Sequence, residues 1–181
     1  METAAVKTKW TLDPTHSEVL FKVKHLMITN VKGEFRKFEA TYNGEGNGFD
    51  PSSIIAEIDT TSIFTNNEDR DNHLKSGDFF DSESFPKLTF KGRSMKKTGG
   101  EEYKITGDLT IKGITKELVL DTEFGGIATD PRGNKKAGFS LSGKLNRKDW
   151  GLTWNQALES GGVLVSDEVK ISAELQFVTE A

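Results

Sequence analysis

The chain has no cysteine, and this absence removes several kinds of chemistry. Disulfide bonds, thiol nucleophiles and thiolate metal sites all need a sulfhydryl group. Histidine is scarce as well, because only His16, His25 and His73 are present and they form no pair at the spacing typical of zinc sites. A zinc site is therefore not predicted, and the lack of cysteine is compatible with either the cytoplasm or the periplasm.

The motifs of common catalytic sites are also missing. There is no GxSxG nucleophile elbow, no Walker loop and no GxGxxG followed by a helix, and the glycines of GEGNG at 44–48 lie between predicted strands. Residues 69–80 begin like a calcium loop, but Leu74 replaces the required glycine and Phe80 replaces the closing glutamate. We predict no catalytic residues, no metal and no cofactor.

The charge distribution argues against two classes of partner. The chain has 24 Lys and Arg against 28 Asp and Glu, a net charge of −4. The basic residues are spread along the sequence, which indicates neither a nucleic-acid-binding protein nor a polybasic segment for an anionic membrane. No apolar run is long enough to span a membrane, and METAAVKTKW lacks the apolar part of a signal peptide. We expect a cytoplasmic protein as the sequence is written, or a periplasmic or secreted one if a leader has been removed.

Strand periodicity, by contrast, is abundant. Eight amphipathic antiparallel strands can form a two-sheet sandwich or a closed barrel, and segments of about ten residues favour the barrel. Twelve phenylalanines and three tryptophans provide large side chains for its interior. We predict a single all-β domain over 10–181 after a flexible segment over 1–9. The segments that alternate apolar and polar residues are 17–25, 33–46, 53–63, 87–95, 103–113, 116–126, 136–147 and 167–178.

Residues 67–86, NEDRDNHLKSGDFFDSESFP, interrupt this alternation. Asn66 or Asn67 can cap a helix with an acidic first turn, and Gly77 can end it. The pattern predicts a short helical cap between the third and fourth strands, over one end of the barrel.

A second interruption, at 146–169, contains Trp150, Trp154 and Leu158. Tryptophan has a large apolar body and one N–H donor. The segment is therefore either a loop that covers the end of the core or an aromatic gate at the mouth of a cavity.

Five stretches together resemble the YceI-like family of bacterial polyisoprenoid-binding proteins, from about Trp10 to Val178. They are WTLDPTHSEVLFKVKHLMITNVKGEF, IDTTSIFTNNEDRDNHLKSGDFFDSESFPKLTF, GDLTIKGITKEL, NRKDWGL and GGVLVSDEVKI. The resemblance implies an eight-stranded antiparallel lipocalin-like barrel with an elongated apolar channel. It also implies a carrier, often a homodimer, that holds an isoprenoid lipid such as a polyprenyl lipid or a quinone tail, and not an enzyme.

The apolar strand faces give the candidate wall of this channel, which would select an apolar chain by its shape and length. A polar head group would lie at one mouth, near Arg70, His73 and Asn155. The predicted channel residues are Val19, Phe21, Val23, Phe35, Phe38, Ile58, Leu74, Phe79, Phe80, Phe90, Leu109, Ile111, Leu120, Phe139, Leu141, Trp150, Trp154 and Leu158.

Two other functions stay open at the level of sequence. Phenylalanine rings can fill an eight-stranded barrel, which would leave a ligand-free module for interaction or stress response. The second alternative is an enzyme acting on a lipid, with His73 and nearby carboxylates as acid and base.

Overall fold

The computed structural model describes residues 8–45, 48–156 and 164–179. Within these ranges the chain forms eleven strands and one α-helix, α1, which spans Glu68–Lys75. The strands are β1 (Thr8–Leu12), β2 (Glu18–His25), β3 (Thr29–Phe35), β4 (Phe38–Gly44), β5 (Ile55–Asp59), β6 (Ile63–Phe64), β7 (Lys87–Gly99), β8 (Glu102–Ile111), β9 (Ile114–Thr129), β10 (Lys135–Asn146) and β11 (Glu168–Thr179).

Eight of the strands close into a ring in the order β1-β4-β5-β7-β8-β9-β10-β11, and β11 returns to β1 with Trp10 opposite Thr179. All of the pairings between these strands are antiparallel. The strands β2, β3 and β6 extend the wall, because β11 pairs with β2 along its N-terminal half. The predicted all-β, eight-stranded antiparallel barrel is confirmed.

The strand boundaries differ from the prediction in the first third of the chain. The predicted strands over 33–46 and 53–63 are each two strands, β3 with β4 and β5 with β6. A 3-10 turn at Thr60–Ser62 separates β5 from β6, and the Asp59 side chain begins it by accepting a hydrogen bond from the backbone N–H of Thr61. The strand β1 was not predicted, because five residues are too few for a clear alternation.

The short helix is confirmed, but its predicted position between the third and fourth strands is wrong. It follows the sixth strand, β6, and precedes β7, because the chain before it contains six strands where the periodicity indicated three. The Asn67 side chain caps the helix by accepting a hydrogen bond from the backbone N–H of Arg70 at 3.0 Å. Ser76, one residue before the predicted glycine, is the C-cap.

The helix lies where the barrel wall separates. β5 pairs with β7, whereas β6 pairs with β3, so the two sides of the wall diverge after β5. Leu74 of α1 and Phe80 after it pack against the core, and the ring of Phe80 meets that of Phe35 edge-on at 5.7 Å. The helical segment therefore covers an opening in the wall.

The core has two parts. One end of the barrel is aromatic, with Trp10 stacked on Tyr42 at 5.8 Å and Tyr42 edge-on to Phe177 at 4.8 Å. The larger part lies towards α1 and includes Ile105 and Trp150. Most of these side chains lie on the inward face of the strands, as the two-residue period requires, whereas Trp150 belongs to a 3-10 turn at Arg147–Trp150.

The packing of Gly107 on β8 can be tested by substitution. A Cβ added there would lie 2.5 Å from both the Phe90 ring and the carbonyl oxygen of Lys91. We expect Gly107→Ala to lower the free energy of unfolding in urea by about 1–3 kcal/mol, because the ring or the strand must shift.

The matched control is Gly138→Ala on β10, where no atom lies within 4 Å of the added Cβ. This control should change the free energy of unfolding by no more than about 0.5 kcal/mol. Equal losses in the two variants would show that the close approach of Phe90 to Gly107 is wrong.

Candidate ligand-binding cavity

The barrel encloses a cavity of about 420 Å³, so its interior is not packed solid. This volume falls within the range of about 300–1,000 Å³ typical of small-molecule sites. The wall takes alternate residues from the strands, for example Val19 and Phe21 on β2 and Ile171 and Ala173 on β11. Because these side chains are apolar, most of the wall offers no hydrogen-bond donor to an occupant.

Most of the predicted channel residues line this cavity, although their contact with a ligand stays a prediction. Trp150 does not line it: the indole is buried in the core beside it, and Nε1 donates a hydrogen bond to the carbonyl oxygen of Leu109 at 2.8 Å. Leu158 lies outside the described residues. The predicted residues on the wall are Val19, Phe21, Val23, Phe35, Phe38, Ile58, Leu74, Phe79, Phe80, Phe90, Leu109, Ile111, Leu120, Phe139, Leu141 and Trp154.

Arg70, one of the three predicted head-group residues, reaches the cavity wall from α1. Its guanidinium donates hydrogen bonds to Oγ1 of Thr65 at 2.8 Å and to the carbonyl oxygen of Thr65 at 2.6 Å. The carboxylate of Asp71 accepts a hydrogen bond from the backbone N–H of the same threonine at 2.8 Å. These bonds fasten the first turns of α1 to the residue that follows β6.

His73 also reaches the wall, within a cluster of rings at the end of the cavity that α1 covers. We call this end the mouth. The imidazole meets the rings of Trp154 and Phe79 edge-on, with centroid distances of 4.7 Å and 5.1 Å. The centroids of the Trp154 and Phe79 rings are 5.4 Å apart. Nε2 of His73 lies 2.9 Å from a carboxylate oxygen of Asp78. Trp154 lies in the irregular segment between β10 and β11, and its ring contacts thus connect this segment to α1 across the mouth.

Asn155, the third predicted head-group residue, does not line the cavity. Its Nδ2 donates to the carbonyl oxygen of Val165 at 2.8 Å, and its Oδ1 accepts from the backbone N–H of Val165 at 3.1 Å. Both ends of the carboxamide are therefore used to join two segments of the backbone.

Arg147 is a wall residue that the sequence analysis did not identify, and its side chain is only 3% exposed. The guanidinium donates hydrogen bonds to four carbonyl oxygens. Nε contacts Ser166 at 2.9 Å, Nη1 contacts Leu152 at 2.6 Å and Trp154 at 2.8 Å, and Nη2 contacts Val165 at 3.3 Å. Arg147 therefore holds the two described parts of the irregular segment, 152–154 and 165–166, in place at the mouth.

Burial and one nearby carboxylate act on the pKa of Arg147 in opposite directions. Burial lowers the pKa of Arg147, while the carboxylate of Asp167 at 3.9 Å raises it. At the aromatic end of the barrel, burial raises the pKa of the Tyr42 phenol, which therefore stays neutral. The lysine, arginine and acidic residues that line the cavity are Lys24, Glu39, Arg70 and Arg147.

Two general features concern the residues described by the structure. They include no group of three or more His, Asp or Glu side chains placed to hold a metal ion. In the same ranges, α1 is the one α-helix, and no helix has the length and apolar character needed to cross a bilayer.

The role of Arg147 predicts a large effect of its removal. In Arg147→Met, four carbonyl oxygens lose their donor, and we expect the free energy of unfolding in urea to fall by about 3–5 kcal/mol. Hydrogen exchange at the Ser166 amide, which bonds to the carbonyl oxygen of Lys24 at 3.0 Å, should accelerate. The exposed neighbour Lys148, substituted by Met, is the control. Indistinguishable stabilities of the two variants would contradict the anchoring role.

Comparison with known proteins places this barrel in a family. The model of the YceI-like domain matches residues 10–177. The UPF0312 protein SA2479 of Staphylococcus aureus strain N315 is 44% identical over 171 residues, which cover 94% of this chain and 97% of that protein.

Solved structures share the same architecture. The YceI protein of Campylobacter jejuni matches with a TM-score of 0.70 and 36% identity, over 100% of this chain and 99% of that one. A polyisoprenoid-binding domain from Saccharophagus degradans matches with a TM-score of 0.68 and 14% identity, over 94% and 98% of the two chains, and shows the fold alone. The family model and the relatives together show that the chain belongs to the YceI-like family.

Proposed function

We propose that the protein binds a long-chain isoprenoid or a related amphiphilic lipid, such as a polyprenyl lipid or a quinone tail. In this proposal it sequesters or transports the lipid without changing it chemically. The observation that carries the proposal is the apolar cavity of about 420 Å³ inside the barrel. Membership of the YceI-like family and the likeness in fold to a domain described as polyisoprenoid-binding support it.

The energy of binding would come from burial of the chain. Each buried methylene contributes roughly 0.8 kcal/mol, so about ten carbons contribute about 8 kcal/mol before the loss of motional freedom is subtracted. Apolar wall residues such as Phe90 and Leu109 form no hydrogen bonds with their side chains, so the cavity would discriminate by shape and length rather than by polar groups.

The polar end of the lipid would lie at the mouth near α1. Arg70, His73 and Arg147 reach the wall there, whereas Phe139 and Phe177 line the opposite end. A lipid would therefore enter tail first, because this orientation leaves its head group beside charged side chains and water.

A carrier is favoured over the two alternatives by specific observations. A filled barrel is incompatible with the cavity. For an enzyme, the acid–base pair at the mouth would be His73 with Asp78, but both side chains are partly exposed, and the imidazole ring packs against Trp154. We therefore expect the lipid to leave the protein in the form in which it entered.

Binding should respond to a change in cavity volume. We expect Ala173→Phe to weaken the binding of a farnesyl or geranylgeranyl alcohol at least about tenfold, since the ring would occupy space on the wall. Ser94→Phe, which adds the same ring on the exposed face of β7, is the control and should bind normally. Isothermal titration of both variants measures the difference. Normal binding by a folded Ala173→Phe variant would show that the cavity is not the binding site.

Affinity should also depend on the length of the ligand. In a series of isoprenoid alcohols, each added unit should tighten binding about tenfold or more until the cavity is full, after which affinity should level off. Linear alcohols of matched length serve as controls for shape. Affinity independent of length from the shortest alcohol onward would indicate binding at the surface instead.

A further inference from the structure

The turn between β2 and β3 exposes three consecutive apolar residues. Leu26 is 39% exposed, Met27 50% and Ile28 79%. We call these residues the tip. Other large apolar side chains with comparable exposure, such as Ile55 and Val119, are isolated from one another along the chain.

The backbone of the tip shows that these residues are not there to make the turn. The φ angles of Leu26 and Met27 are 55° and 60°, and the Ile28 N–H donates to the carbonyl oxygen of His25 at 3.2 Å. A β-turn whose two central residues both have positive φ angles favours Asn-Gly at those positions, and large side chains adopt this conformation only with strain. The sequence therefore keeps apolar side chains at an exposed site where folding alone favours other residues.

A row of lysines crosses the outer face of the same region. Lys144, Lys170, Lys22 and Lys32 are directly opposite one another on the adjacent strands β10, β11, β2 and β3. They face outwards, because their neighbour Phe21 faces the cavity. Like charges directly opposite each other destabilise a sheet, so this lysine row also works against folding.

Few acidic groups neutralise the lysine row. Among the described residues Lys22, Lys32 and Lys170 form no ion pair, while Lys144 lies 3.8 Å from Glu168. Two further carboxylates near the row are already paired, Glu34 with Arg36 at 2.9 Å and Asp121 with Lys104 at 3.5 Å. Lys24 on β2 adds another exposed cation close to the tip. A positive surface therefore lies on a protein whose net charge is −4.

The tip and the lysine row are close enough to act together. Lys24 and Lys22 precede Leu26 by two and four residues, about 7 and 13 Å along the strand at about 3.3 Å per residue. An exposed apolar element beside lysines is the combination that binds the interface of an anionic bilayer.

We propose that this region docks the protein on a bilayer that contains anionic phospholipids. The tip enters the interfacial layer, and the lysine row faces the phosphate groups. The Leu26 N–H donates to the carbonyl oxygen of Leu164 at 2.9 Å, and Leu164 and His25 line the cavity. The docked surface is therefore next to the cavity mouth. Docking does not depend on which ligand the cavity holds.

The test is co-sedimentation with vesicles, using the intact protein and no added isoprenoid. One set of vesicles is pure phosphatidylcholine, and the other contains phosphatidylglycerol as well. The first variant, Leu26→Asn with Met27→Gly, keeps the turn and removes most of the apolar tip. The second, Lys32→Gln with Lys170→Gln, removes two charges from the row. The control, Lys91→Gln with Lys96→Gln, removes two exposed charges from β7, on the opposite side of the ring.

We expect the protein and the β7 control to bind only the anionic vesicles, and more weakly as salt rises. The loss of two lysines should weaken binding roughly 25-fold, at about fivefold for each charge. The tip variant should also lose binding, although its Tm should rise because Asn-Gly fits the turn. These opposite changes distinguish docking from a loss of folding.

Two results would overturn the proposal. One is sedimentation that is the same for the protein, the lysine variant and the tip variant, including no binding by any of them. The other is concentration-dependent self-association that the tip variant abolishes, without vesicle binding, which would assign the surface to a second copy of the chain. Neither result bears on binding inside the cavity, which Ala173→Phe tests separately.

Discussion

Closure of the sheet between β11 and β1 is the interaction on which the rest of the structure depends. β11 pairs with β10 along one edge and with β1 and β2 along the other. A shift of one residue in this register would move every inward side chain to the outside. Ala173 and Ile171 would then leave the cavity wall, and Lys170 would enter it. The apolar interior and the basic exterior therefore follow from the same pairing.

Closure alone does not complete the cavity, because the wall separates after β5. Two irregular segments cover that end, and polar side chains fix both of them. Arg70 fastens α1 to Thr65, and Arg147 fixes the second segment through four carbonyl oxygens. Contact between His73 and Trp154 joins the two segments. The polar contacts at the mouth thus hold the backbone and leave the apolar wall free for an occupant.

The parts of this structure that could be predicted depend on local pattern. The two-residue period identified the long strands and most of the wall, and the Asn67 cap with acidic residues identified α1. Arg147 could not be found in this way, because its partners Leu152 and Ser166 become neighbours only in the folded chain. The lysine row could not be predicted for the same reason. Its members are spread along the chain from Lys22 to Lys170, and the register of the strands brings them together.

The central claim is that the cavity holds an isoprenoid lipid, and it is tested most directly by mass spectrometry of an organic extract. The protein would be purified without detergent, and a mock purification from cells that lack it would be the control. We predict one polyprenyl or quinone species in stoichiometric amount, chemically unaltered and absent from the control. A clean extract, from protein that also fails to take up added isoprenoids, would contradict the claim.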